Sequence, residues 1–120
     1  MSQLQEIISS LSFLERYGFT CYVHSGNNNI TISFYKAEGC ITYHEYLQFG
    51  DCAIYVSDSL EDFNKRQYRS IYGIGWFCDN VLHELKKKIP KKDYSFLDTV
   101  SYYLFKELQN SSKVFDIPAN

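Results

Sequence analysis

The spacing of apolar residues changes once, near residue 18, and this change limits the fold more than any other feature of the chain. The apolar residues before that point recur at intervals of three and four, as on one face of an α-helix: Leu4, Ile7, Ile8, Leu11 and Leu14. From Phe19 onward, apolar and polar residues alternate, as in a β-strand with one buried face. The sequence therefore predicts a helix over residues 3–17, ended by Gly18 and followed by strands.

Turn-forming residues divide the alternating stretch into four segments. The predicted strands cover residues 19–24, 30–35, 40–49 and 52–57. The turns between them are rich in Gly, Asn and Asp and cover residues 25–29, 36–39 and 50–51. Consecutive strands joined by short turns usually pair with their neighbours, so we expect a four-stranded antiparallel meander.

The C-terminal half returns to the helical period. We expect a helix over residues 76–89, because Pro90 stops it and its apolar residues share one face: Cys78, Val81, Leu82, Leu85 and Ile89. Asp93 or Ser95 can cap a final helix, whose apolar stripe is Leu97, Val100, Leu104 and Leu108. Between the strands and these helices, residues 57–75 indicate a mixture of loop and a short helix that starts near Leu60.

These elements predict one α+β domain over residues 1–120, with two or three C-terminal helices packed on one face of the sheet. We expect the polar tail, residues 110–120, to be loose. No apolar run approaches the length of a membrane span, and the N-terminus has no signal-peptide pattern, so we expect a cytoplasmic protein that makes no membrane contact. The four cysteines form no C-x-x-C pair and are expected to be free thiols.

Charge is unevenly distributed along the chain. Residues 1–62 carry eight acidic and two basic side chains, whereas residues 63–120 carry ten basic and six acidic ones. The acidic residues of the first half concentrate at turns, close to the tyrosines of the strands. Such a surface suits a basic protein partner, since charge speeds encounter and aromatic side chains supply contact area. The predicted partner-binding residues are Glu38, Tyr43, Glu45, Tyr46, Tyr55, Asp58, Glu61 and Asp62.

Signatures of catalysis and of metal binding are weak. The sequence contains no G-x-S-x-G, and the spacing of its histidines and cysteines does not place four ligands together. We therefore predict neither a catalytic residue nor a metal or other cofactor. A solvated helix end is a simpler explanation of the lysine cluster Lys86, Lys87, Lys88, Lys91 and Lys92 than a nucleic-acid site.

In its general layout the chain resembles the small immunity proteins of bacterial polymorphic and contact-dependent growth-inhibition toxin systems. The features that carry the likeness are an amphipathic opening helix leading into Tyr17-Gly18-Phe19, a hairpin with the loop Gly26-Asn27-Asn28-Asn29, Tyr-rich strands, an acidic turn and C-terminal helices. The resemblance implies a non-enzymatic protein that binds one cognate toxin domain in the cytosol, often a basic nuclease. It also implies that the partner is encoded nearby. We expect the free protein to be a monomer or a weak dimer.

Two alternative functions remain open at the level of sequence. One is a small enzyme or ligand-binding protein with a pocket between sheet and helices, where Cys52, His44 and His83 would be the polar members. The other is a nucleic-acid binder that uses the cluster from Lys86 to Lys92.

Overall fold

The sheet and helices of the protein are seen in a computed structural model that describes residues 3–46, 50–90 and 93–109. The helices are α1 (Gln3–Leu11), a 3₁₀ helix (Ser12–Tyr17), α2 (Leu60–Asn64), α3 (Ile74–Phe77), a π-helical turn (Cys78–Leu82), α4 (His83–Lys88) and α5 (Phe96–Gln109). The strands are β1 (Thr20–Val23), β2 (Asn29–Lys36), β3 (Gly39–Tyr46), β4 (Asp51–Ser57) and β5 (Ser70–Gly73).

The five strands form one antiparallel sheet in the order β1-β2-β3-β4-β5. The predicted α+β class and meander are thus confirmed, but the sheet has five strands and not four. The additional strand, β5, lies in the segment that the sequence indicated as helix and loop. It has only four residues, of which only Tyr72 is buried, so it is too short to show a clear alternation.

The pleat of the sheet separates its side chains into two faces. One face is apolar and packs against α1, α3 and α5; it presents Ile32, Phe34, Ile41, Tyr43, Ile54 and Val56 to the core. We call the opposite face the outer face. The outer face carries Ser33, Thr42 and Tyr55 side by side on β2, β3 and β4, because these three residues are register partners.

The N-terminal helix follows its prediction with one modification. Residues 3–11 are α-helical, and residues 12–17 tighten into a 3₁₀ helix before the chain turns into β1. Gly18 ends this helix in the left-handed conformation, with φ of 94°, which a side chain would disfavour.

The helix predicted over residues 76–89 is present but interrupted. A π-helical turn at Cys78–Leu82 adds about one residue to the helical repeat and so changes which residues face the sheet. Phe77, Val81 and Leu85 are buried, whereas Cys78 is exposed and Ile89 is 55% exposed. The prediction that Cys78 and Ile89 belong to the apolar face was therefore wrong.

Ser95 caps the last helix. Its hydroxyl accepts a hydrogen bond from the backbone N–H of Asp98 (3.1 Å), and the Asp98 carboxylate accepts one from the backbone N–H of Ser95 (3.0 Å). This reciprocal arrangement satisfies two backbone N–H groups at the start of α5. The C-terminal tail, residues 110–120, and the end of the third predicted strand, residues 47–49, lie outside the described residues. Within the described ranges, no helix has the length and apolarity needed to cross a membrane.

Candidate functional site

The outer face of the sheet has a floor of small hydroxyl side chains. Ser33 and Thr42 are fully buried, and their hydroxyl oxygens lie 2.6 Å apart. The Thr42 hydroxyl also lies 3.6 Å from the buried thiol of Cys40. Buried polar groups are tolerated when they pair in this way.

The segment between β4 and β5, residues 58–69, folds over this floor. The Ser59 hydroxyl caps α2 by accepting a hydrogen bond from the backbone N–H of Asp62 (3.0 Å). The backbone N–H of Arg69 then donates to the Val56 carbonyl (2.7 Å), which returns the chain to the sheet. The excursion places two aromatic rings, Phe63 and Tyr68, beside the outer face, where both contact the ring of Tyr55.

A cleft of about 440 Å³ remains between this segment and the sheet. Its lining consists of aromatic rings, three of them phenols, with two amides, one threonine hydroxyl and one guanidinium: His24, Asn29, Thr31, His44, Tyr46, Tyr55, Phe63, Asn64, Arg66 and Tyr68. We call it the aromatic cleft. Its volume lies within the usual range of ligand sites.

Two histidines lie beside Thr31 in the aromatic cleft. His44 Nδ1 is 2.8 Å from the Thr31 hydroxyl, and His24 Nε2 is 2.9 Å from the Ser33 hydroxyl. Burial lowers the pKa of His44 below its usual value. Burial also lowers the pKa of His24, and the nearby His44 lowers it further. Both rings are consequently neutral at pH 7.

The predicted partner-binding residues do not form one surface. Tyr46 and Tyr55 line the aromatic cleft. Asp58, Glu61 and Asp62 lie in the segment that forms its wall, and Glu38 lies in the turn between β2 and β3. Asp58 and this turn are at the same end of the sheet, since Cys40 pairs with Ser57.

The acidic character predicted for this region is largely cancelled by neighbouring basic residues. Glu61 forms an ion pair with Lys65 (2.9 Å), and Asp58 forms one with Arg69 (3.6 Å). Residues 58–69 contain three acidic and three basic side chains, so the segment carries no net formal charge.

Tyr43 and Glu45 lie on the face of the sheet that packs against the helices, opposite to Tyr46 and Tyr55. Tyr43 is only 2% exposed and donates a hydrogen bond from its hydroxyl to Glu45 Oε1 (2.7 Å). Gln3 of α1 also contacts the Glu45 carboxylate. The prediction that Tyr43 is a surface contact residue therefore has to be corrected, because its period-two position directs it into the core.

The residues of the predicted enzyme or ligand site are separated as well. His44 lines the aromatic cleft on the outer face, while Cys52 lies on the helix side of the sheet and His83 is exposed on α4. Burial, with the nearby Glu45, raises the pKa of Cys52 to about 11, which leaves its thiol protonated at neutral pH. The described residues include no group of three or more His, Cys, Asp or Glu arranged to hold a metal ion.

Lys86, Lys87 and Lys88 form the last turn of α4, where cations are favourable beside the helix C-terminus. Lys88 also lies over the ring of Tyr102, with its ammonium 5.0 Å from the ring centroid. The remaining two lysines of the predicted cluster, Lys91 and Lys92, lie outside the described residues.

Sequence reasoning missed several residues of the aromatic cleft, namely His24, Phe63, Arg66 and Tyr68. A signal for two of them was present: Phe63 and Tyr68 are large rings in an otherwise polar stretch, and such rings need a surface to cover. Nothing in the local sequence indicated that this stretch returns over the sheet.

No family model, curated protein or solved structure matches this chain.

Proposed function

We propose that this chain is a non-enzymatic protein-binding module of the immunity type, which neutralises a cognate toxin domain in the cytoplasm. The observation that supports the proposal best is the aromatic cleft, a concave ring-lined site on the sheet face that α1 and α5 leave open. In this proposal the cleft and the adjoining helix α2 are the contact surface.

Aromatic clefts are suited to the centre of a protein interface. Binding energy concentrates in a few residues, with Tyr, Trp and Arg enriched among them, and these residues fit into desolvated pockets. Tyr46 is 44% exposed at the cleft, so a partner would bury a substantial part of its ring. Tyr55 and Tyr68 lie deeper, with ring centroids 4.7 Å apart, and are held by neighbouring rings before any partner binds. Rings that are already ordered lose little further entropy on binding.

The charge distribution changes the expected character of the interface. Because Asp58 and Glu61 are each paired within the chain, long-range attraction of a basic partner is weaker than the sequence alone suggests. A basic toxin remains part of the proposal, but shape and aromatic contact supply more of its affinity than charge does.

A non-enzymatic role is consistent with the arrangement of the most enzyme-like pair. The distance of 2.9 Å between His24 Nε2 and the Ser33 hydroxyl would suit a general base and a nucleophile. However, Ser33 is fully buried and also hydrogen-bonded to Thr42, so a substrate has no approach to it without opening the sheet surface.

The test is rescue of growth. The product of the gene next to this one would be expressed inducibly in a heterologous bacterium, with and without this chain. We expect the neighbouring product to stop growth and the wild-type chain to restore it. Tyr46→Ala should weaken the rescue, because it removes the exposed ring of the cleft.

Phe105→Ala is the matched control, since Phe105 is a similarly exposed ring (41%) on α5, away from the cleft. Urea unfolding of both variants would show that each is folded. A toxic neighbouring product that the wild-type chain fails to neutralise would contradict the proposed function. Equal rescue by Tyr46→Ala and wild type would show that the aromatic cleft is not part of the contact surface.

A further inference from the structure

We propose that the aromatic cleft is a site for a planar aromatic group that carries a negative charge. This inference rests on the proposed function in one respect: within an immunity-type complex, the group would be an aromatic ring beside a carboxylate, presented locally by an otherwise basic partner. The site itself is argued from its own rings, charge and hydrogen-bonding groups.

The rings define the shape of the ligand. Tyr55, Phe63 and Tyr68 are in mutual contact, with centroid distances between 4.7 and 5.7 Å, and together form a continuous aromatic wall. His44 continues the wall: its ring contacts Tyr55, with centroids 5.9 Å apart, and Tyr46, with centroids 4.4 Å apart. A flat ring can lie against such a wall and bury apolar area there.

The charge of the lining favours an anion. None of the residues that line the cleft is acidic, and Arg66 is its one formally charged side chain. The two other basic residues of the same segment, Lys65 and Arg69, form ion pairs with Glu61 and Asp58. Among the described residues, by contrast, the structure shows no ion pair or side-chain hydrogen bond for the Arg66 guanidinium. It is therefore available to a carboxylate or phosphate, which it can bind with two parallel hydrogen bonds.

The backbone fixes the position of Arg66. Arg66 has φ of 60°, the one left-handed conformation of a non-glycine residue in the described chain. The backbone N–H of Arg66 is bonded to the Phe63 carbonyl (3.0 Å) and that of Gln67 to the Asp62 carbonyl (2.8 Å), the two bonds of a Schellman motif that ends α2. The positive φ therefore belongs to the helix end, and the same turn fixes Arg66 next to Phe63 of the aromatic wall.

His44 offers a hydrogen-bonding atom that the protein does not use. Its Nδ1 is engaged with Thr31, whereas its Nε2 is buried and has no hydrogen-bond partner in the described part of the chain. A buried polar atom without a partner costs free energy, and a ligand that supplies the missing hydrogen bond recovers that cost. The ring of His44 lines the cleft, and because Nε2 is itself buried, a ligand there supplies that partner once a neighbouring side chain shifts.

A cationic ligand is the main competing occupant, because aromatic rings also attract cations. Arg66 argues against it, since a second positive charge beside the guanidinium would be repelled and no carboxylate lines the cleft to offset that repulsion. The two ligand charges can be compared directly with probes that share one ring.

The experiment is a titration of the purified full-length protein with indole-3-acetate and with tryptamine, followed by NMR shifts of the aromatic side chains and by calorimetry. Both probes carry an indole ring, but the first is an anion and the second a cation. We expect indole-3-acetate to bind at least about tenfold more tightly, with shifts concentrated on Tyr55, Tyr68 and His44, because Arg66 donates charge-assisted hydrogen bonds to the anion and repels the cation.

Arg66→Gln should weaken binding of indole-3-acetate by roughly fivefold, a reduced effect because the guanidinium is at the exposed rim. Lys65→Gln is the matched control: it removes the same charge from the adjacent residue, which does not line the cleft. Tryptamine binding as tightly as indole-3-acetate would overturn the inference, and so would equal effects of Arg66→Gln and Lys65→Gln.

The experiment distinguishes a failure of this inference from a failure of the proposed function. Competition between indole-3-acetate and the toxin partner would assign the anionic ring to the partner, whereas binding without competition would assign it to a free small molecule; the site stands in both cases. If the partner binds, Tyr46→Ala weakens it and no anionic probe binds, then the inference fails and the proposed function is kept.

Discussion

Lowering the pH from about 7.5 to about 5.5 should reduce the stability of the fold through His24 and His44. Burial lowers the pKa of both rings in the folded protein, and for His24 the nearby His44 adds to the effect. In the unfolded chain, histidine titrates near its usual pKa of about 6.5. Below that pH the unfolded chain takes up protons that the folded chain resists, so the free energy of unfolding falls as the pH falls. The decline ends once the pH drops below the folded pKa values.

The size of the effect has an upper bound. The slope of the free energy of unfolding with pH is 2.303RT multiplied by the difference in bound protons between the two states. Each histidine contributes at most one proton, or about 1.4 kcal/mol per pH unit, and the pair at most about 2.8 kcal/mol per pH unit. Above about pH 7.5 the contribution vanishes, because both states are then neutral at these positions.

Urea unfolding followed by circular dichroism over this pH range measures the slope. The variant with both His24→Gln and His44→Gln should lose most of it, and each single variant should lose part. His83→Gln is the control, because His83 is exposed on α4 and does not line the cleft. If the double variant kept the full slope of the wild type, the assignment of acid sensitivity to the cleft histidines would be refuted.

Three further predictions concern the helices and the thiols. Ser95→Ala should lower the free energy of unfolding by about 1 kcal/mol, measured by urea denaturation, because it removes the cap of α5; an unchanged midpoint would contradict the capping role. Val100→Ala should cost roughly 2 kcal/mol in the same assay, since Val100 is fully buried, and a loss below about 0.5 kcal/mol would show that the site is not packed as described. Labelling with iodoacetamide at about pH 8, read out by peptide mass spectrometry, should modify Cys78 well before Cys52. Cys78 is exposed, whereas the raised pKa of Cys52, about 11, leaves about one Cys52 thiol in a thousand as thiolate. Faster modification of Cys52 would contradict its burial beside Glu45.

The parts of the fold that the sequence predicted well are those with strong local signals. The alternation from Phe19 to Ser57 corresponds to β1 to β4, and the turn at Gly18 lies where the spacing of apolar residues changes. Local spacing is sufficient there because one face of each strand must be buried against the same helices. The register then follows from the short connections between the strands.

The parts that the sequence did not predict depend on contacts between distant segments. β5 has four residues and is specified by its pairing with β4, from Val56–Ser70 to Ala53–Gly73, and not by its own pattern. The π-helical turn at Cys78–Leu82 changes the buried face of its helix by a shift that no period analysis with a fixed repeat can detect. Tyr43 was assigned to the surface because its neighbours are acidic, although its position in the alternation already placed it beside Ile41 in the core.

The aromatic cleft illustrates why a site can escape sequence reasoning when each of its residues is ordinary. The hydroxyls of Ser33 and Thr42 would be typical of a solvated strand face, yet both are fully buried. The Ser33 hydroxyl lies 2.9 Å from the His24 ring, and Thr42 is the register partner of Tyr55. Both His24 and Tyr55 contact Phe63 of residues 58–69. The same excursion pairs Asp58 and Glu61 with basic residues of its own and leaves Arg66 at the cleft without such a pair. Among the described residues that line the cleft, the one charged side chain is thus the basic Arg66, while the acidic side chains of the same segment lie outside the lining. This separation of charge follows from how the chain folds over the sheet.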